Sequence, residues 1–199
     1  METGITFKTF SPTRPAEDLY EYMLVIQPDQ SIKEKLLHEK REFSRTYWED
    51  KSGLQEANMI LASFRAKEGL EETIIRWIER ICGQQKSFRV TFNNYSGIPP
   101  HTIFLRIQDA DPFCCLSKQL KVIDDLVNYS GYPSVQLFAK PHLAIAGKLP
   151  ADVFDKALMD YAHRTFHESF QVHELVLLKR MASSEISKKI NVFRLQAAV

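Results

Sequence analysis

The chain has 199 residues, of which 44% are hydrophobic and 26% charged; 26 Lys and Arg stand against 25 Asp and Glu, for a formal charge of +1. These fractions belong to an ordinary globular protein, one large domain or two small fused halves, and 7 Gly with 9 Pro are too few for a collagenous or low-complexity chain. The even charge excludes a generic polyanion binder, which needs clustered surplus cations to release counterions, and leaves open recognition of a single phosphate or a short oligonucleotide.

The first residues, Met1-Glu2-Thr3-Gly4, lack the charged-then-apolar layout of a secretory signal. The run Tyr22 to Ile26 is the longest apolar stretch and reads as a buried strand. It is far short of the roughly 20 residues that cross a bilayer, so no membrane span is expected. After Pro28-Asp29, Ser31 with Glu34 three residues on reads as a capping box opening a charged helix to about Trp48. Ala57 to Phe64 is a second predicted strand. Leu70, Ile74, Trp77, Ile78 and Ile81 then recur at helical spacing up to Gly83. Phe88, Val90 and Phe92 alternate with polar residues as a half-buried strand, and Asn94 to Pro100 is the clearest turn cluster in the chain.

The series then restarts. Thr102 to Gln108 reads as a strand, and Asp111-Pro112 opens a helix with a buried stripe of Leu116, Leu120, Ile123 and Val127. Pro141 to Ala146 is a strand, Pro150-Ala151-Asp152 opens a helix carrying Phe154, Leu158 and Tyr161, and Val172 to Lys179 is the next strand. Ile190 to Leu195 adds a terminal one. Cys82, Cys114 and Cys115 are odd in number, and the adjacent pair falls on a helix where neighbours point apart. They read as reduced structural thiols of a cytoplasmic protein, with no zinc pattern around them.

Five successive elements of the two series keep a nearly constant offset of roughly 80 residues, which points to an internally duplicated βαβαβ unit. The expected fold is α+β: a single domain, 1–199, of two pseudo-symmetric lobes at about 20–95 and about 101–182. Two antiparallel-type sheets would face a central groove with helices outside, and a C-terminal strand would lie near 189–195. The groove between the halves is the natural ligand site.

The equivalent second strands read Asn58-Met59-Ile60-Leu61-Ala62 and His142-Leu143-Ala144-Ile145-Ala146. Alternation places Asn58, Ile60 and Ala62 on one face, and His142, Ala144 and Ala146 likewise. Asn58 and His142 are separated by the same offset as the elements that carry them. With the Pro-rich turn before Thr102-Ile103-Phe104-Leu105 and the approach Lys140-Pro141-His142-Leu143, this resembles the two-histidine (2H) phosphoesterases, in their 2′-5′ RNA ligase-like and cyclic phosphodiesterase branch. That family carries His-x-Thr/Ser-x once in each half. The resemblance implies a pair of histidines acting as general acid and base on a 2′,3′-cyclic phosphate or 2′-5′ linkage, hydroxyls holding the phosphate, and no metal or other cofactor.

Matched residue by residue, Asn58 stands at the first histidine, Ile60 at its hydroxyl partner, His142 at the second histidine and Ala144 at its hydroxyl partner. One signature side chain of four is retained. An amide does not exchange a proton near neutral pH, so Asn58 orients a ligand without serving as acid or base. Ile60 and Ala144 remove donors from where charge would develop.

Candidate phosphate contacts are Arg65, Arg106, Lys140 and Lys148, and also Lys179 and Arg180 at the end of a late strand. Two features are decoys. His101-Thr102 has its hydroxyl adjacent, so the two side chains should diverge. His163 and His167 share a face of a predicted helix but have no third ligand beyond His173 or Glu174. The favoured expectation is a divergent protein that binds a nucleotide or an RNA end bearing a terminal or cyclic phosphate, with weak or no two-histidine catalysis. The alternatives are an active cyclic phosphodiesterase using His142 with Tyr22 or Tyr95, and a non-catalytic structural or interaction protein. The oligomeric state is open, with a monomer expected.

Overall fold

The computed structural model describes residues 19–47, 57–181, 184 and 186–197. Met1-Gly4, Trp48 at the expected end of the first helix, and residue 182 at the expected lobe boundary lie outside them. The described elements are β1 (Leu19–Ile26), α1 (Gln30–Thr46), β2 (Met59–Lys67), a single 3-10 turn, α2 (Glu71–Cys82), β3 (Phe88–Ile98) and β4 (Thr102–Ile107). Then come α3 (Asp111–Gln119), α4 (Lys121–Tyr129), β5 (Gln136–Leu137), β6 (Leu143–Ala146), α5 (Ala151–Tyr161), β7 (His167–Val172), β8 (Glu174–Met181) and β9 (Lys188–Arg194). The expected α+β class holds. The strands form two antiparallel sheets, β5-β2-β1-β8-β9 (sheet 1) and β6-β4-β3-β7 (sheet 2).

Several local expectations are corrected. The N-cap of α1 is Asp29, whose Oδ1 accepts from the Ile32 N–H at 2.9 Å, so the Ser31–Glu34 box does not form. The helix of the second half breaks at Leu120, where ψ is −8°, yet Leu116, Leu120, Ile123 and Val127 all remain buried. The turn cluster is mostly strand: β3 continues to Ile98, and the reversal is confined to Pro99, Pro100 and His101. A pairing irregularity between Phe92 and Tyr95, with Asn94 at φ 57°, absorbs the polar residues that looked like a turn. The late strand is two strands: β7 lies in sheet 2 and β8 in sheet 1, and the chain changes sheet at His173.

The duplication is visible in the register. In the first half Leu24 pairs with Ala62 and Val25 with Ile60, so Leu61 is an extra residue. In the second half Ile103 pairs with Ala146 and Phe104 with Ala144, so Ile145 is extra at the equivalent place. The third strands are exchanged between sheets: β3 pairs with β4 of the second half, and β8 with β1 of the first. Each sheet therefore contains strands from both halves of the sequence.

One continuous core holds both sheets to the helices, with Tyr22, Leu24 and Ile26 of β1, Ile103 and Leu105 of β4, Phe43 of α1 and Tyr161 of α5. A separate small cluster, Met23, Val25, Val176 and Leu178 with Ile60 and Val192 against it, occupies the helix-free face of sheet 1. Gly97 lets β3 approach α5: a Cβ there would sit 2.8 Å from Phe154 Cζ and 3.1 Å from Leu158 Cδ1. Gly97→Val is expected to lower stability to urea by about 1–3 kcal/mol through overpacking. Gly69→Ala, where a Cβ meets nothing within 4 Å, should stay within about 0.5 kcal/mol of wild type.

Candidate functional site

The two bulges decide which motif side chains leave the core. Up to and including the bulge residue, Met59 and Leu61, and Leu143 and Ile145, face the helices and are at most 5% exposed, as alternation predicts. Ile60 and Ala144 turn to the helix-free faces and are half-buried. Past the bulge the parity flips. Ala62 is buried in the core and Ala146 packs against it, so the expectation that they share a face with Ile60 and Ala144 is corrected.

Asn58 and His142 both lie just ahead of their strands and are half-buried. The Asn58 Oδ1 accepts from Gln27 Nε2 at 3.2 Å. His142 meets the ring of Phe104, centroids 4.8 Å apart and planes inclined by 53°. The chain itself links the two motif strands. β5 pairs with Ala62 and Ser63, the Phe138 N–H donates to Leu61 O at 2.9 Å, and the Cys114 thiol donates to Ala139 O at 3.4 Å. His142 follows four residues after Phe138, a reach of at most about 15 Å. A helical cysteine thus anchors the loop that delivers the retained histidine.

The candidate cations divide. Arg65 is exposed on β2, opposite Glu21, on the helix-free face of sheet 1. Arg106 is exposed on the corresponding face of sheet 2, its Nε donating to Asn93 O at 3.2 Å. Lys140 and Lys148 are exposed in the loops flanking β6, Lys148 with φ 55°. Lys179 is instead held by Glu68 and Glu71, each at 2.6 Å, with its ammonium 4.1 Å from the Tyr20 ring centroid. Arg180 pairs with Glu21 at 2.8 Å. The charge of these last two is already balanced by carboxylates.

Tyr22 and Tyr95 lie on the helix side, away from the face that carries Phe104. Tyr22 is fully buried and donates to Glu71 at 3.1 Å. Tyr95 pairs with Leu105 and packs edge-on against Tyr161. Burial pushes both phenols well above the usual value, with Glu71 and Glu39 adding to the effect, so neither is poised to move a proton. His101 and Thr102 do not diverge: their Nδ1 and Oγ1 are 2.8 Å apart, because His101 belongs to the turn. His163 and His167 lose their helical spacing because α5 ends at Tyr161. Among the described residues no three His, Cys, Asp or Glu are grouped to hold a metal, and no helix is long and apolar enough to cross a membrane. Cys82, Cys114 and Cys115 are all free; burial pushes the Cys82 thiol up to about 12.

Sequence reasoning missed two residues beside the motif positions, Phe104 and Gln27. Phe104 was legible as the middle of the alternating triplet Thr102, Phe104, Arg106, whose parity opposes the buried Ile103 and Leu105.

Burial pushes the His142 imidazole below its ordinary value, because desolvation disfavours the cation. By proton-linkage NMR, His142 should titrate below about 6.5. The unfolded chain then takes up this proton first, so stability falls as pH drops from about 6.5 to the folded value, then levels off. His142→Gln should remove that component, as measured by urea unfolding across a pH series.

The 2′-5′ RNA ligase superfamily profile matches residues 59–183, more than half of the chain. No curated protein matches significantly. Among solved structures, TT0787 of Thermus thermophilus is similar with a TM-score of 0.64 at 12% identity, over 89% of this chain and 98% of that one. E. coli LigT complexed with 3′-AMP is similar with a TM-score of 0.59 at 13% identity, over 90% of this chain and 99% of LigT. These likenesses carry the fold. The profile match, together with twin bulged strands led by Asn58 and His142, makes this chain a member of the 2′-5′ RNA ligase superfamily.

Proposed function

We propose that the chain binds a nucleotide or an RNA end bearing a phosphate at the helix-free faces, with weak or no two-histidine catalysis. The observation that carries this reading is the pairing of a kept scaffold with changed chemistry. Both motif strands carry a bulge at the equivalent place, while the four matched positions hold Asn58, Ile60, His142 and Ala144. Loss of one positioned proton-transfer group typically costs about 10²–10⁴ in rate. Loss of donors that would meet a developing anion lowers it further. E. coli LigT, which shares the fold, forms complexes with 3′-AMP, ATP and NADP+. Arg65 and Arg106, exposed on the two helix-free faces, are the phosphate contacts in this reading, with Lys140 and Lys148 beside β6. His142 and Asn58 orient the ligand.

A second reading, a non-catalytic structural or interaction protein, is favoured by one observation: the apolar cluster of Met23, Val25, Val176 and Leu178 on the helix-free face of sheet 1. An active cyclic phosphodiesterase built on Tyr22 or Tyr95 is disfavoured by where those phenols point.

Addition of 3′-AMP or a 2′,3′-cyclic nucleotide is expected to shift the His142 resonances in a saturable way. Hydrolysis of the cyclic nucleotide should be the same in wild type and His142→Ala. Silence of His142 toward both ligands sinks the binding reading. Turnover that vanishes in His142→Ala returns the chain to the active enzymes.

A further inference from the structure

We propose that the ligand is gripped mainly by a planar heteroaromatic ring laid on Phe104 beside His142, so that a nucleoside binds nearly as well as the nucleotide. This deepens the preceding reading and rests on it.

Phe104 is unusual in its surroundings. Its neighbours Ile103 and Leu105 are fully buried in the main core, whereas Phe104 is half-buried and belongs to neither hydrophobic cluster. Its ring contact among the described residues is His142. Its two register partners are small: Ala144 on β6 and Ser96 on β3. Directly opposed residues have Cβ atoms about 4.5–5.5 Å apart, close enough for a large partner to cover the ring, and neither of these is large. A lone exposed aromatic needs no ligand to explain it. This one stands between two small residues, against an imidazole, at the position paired with a signature site.

The chemistry around it suits an uncharged ring better than an anion. Ile60 and Ala144 offer no donor at the hydroxyl positions, and the equivalents of Phe104 and Ser96 in sheet 1 are Val25 and Val176. A phosphate placed against Ile60, Ala144, Val25 or Val176 would lose hydration without replacement bonds from them. Stacking on an aromatic face carries no such penalty and is tolerant of base identity. A neutral imidazole has one donor and one acceptor nitrogen for the edge of a base. Exposed Arg65 and Arg106 remain for the phosphate of a nucleotide, in water, where an ion pair adds little.

The test is calorimetric titration of the full chain with adenosine, 3′-AMP, inorganic phosphate and a short single-stranded adenine RNA. Adenosine is expected within about threefold of 3′-AMP, and phosphate alone should show no binding in the same range. Phe104→Leu, which keeps apolar bulk without the ring, should weaken adenosine and 3′-AMP by about 10- to 100-fold, and Phe104→Trp should retain both. The RNA arm separates the sources of the ring: binding well above that of 3′-AMP assigns it to an RNA end, and equal binding to a free mononucleoside. Phosphate binding as tightly as 3′-AMP, with Phe104→Leu unaffected, overturns ring recognition and leaves the nucleotide reading standing. Failure of all four ligands to bind overturns both.

Discussion

One extra residue in each motif strand governs what this protein presents to solvent. An antiparallel pair cannot absorb an added residue without switching the side-chain parity beyond it. Leu61 and Ile145 are those residues, and each sits one position past a signature site. Ahead of the bulge, the strand sends Ile60 or Ala144 to the open face; beyond it, Ala62 and Ala146 return to the core. Around each signature site, the open face is set by that one residue of the motif strand, the residue leading it, and whatever the neighbouring strand places alongside; further along β2 the flipped parity brings Ser63 and Arg65 to the same face.

The two halves have diverged in what they place there. Sheet 1 sets Val25 and Val176 beside Ile60, and these two are 1% exposed in a small apolar cluster. Sheet 2 sets Phe104 and Ser96 beside Ala144, all partly accessible, with the imidazole of His142 against the Phe104 ring. A pseudo-symmetric scaffold has become chemically one-sided. The side that keeps the histidine is also the side that keeps room.

Much of this was legible in the sequence because it depends on periodicity. The constant offset between halves, the buried stripes and the motif strands follow from spacing alone. The failures share a cause in long-range pairing. Alternation carried Ala62 and Ala146 to the wrong face because a bulge shows only in the register with a partner strand. The segment from Val172 read as one strand because nothing local marks His173 as the crossing between sheets. Lys179 and Arg180 looked like available cations until Glu68, Glu71 and Glu21 arrived from distant segments.

The exchange of third strands has a consequence for how the protein comes into being. Leu24 of β1 pairs with Leu177 of β8, a partner synthesised only near the far end of the chain. At about 5–20 residues per second on the ribosome, β1 emerges many seconds before one of its two neighbours exists. Throughout that interval its edge is an open template for pairing with other chains. The first half cannot finish a sheet by itself. The sheet that holds β1 is completed only when the last strands of the chain, β8 and β9, arrive.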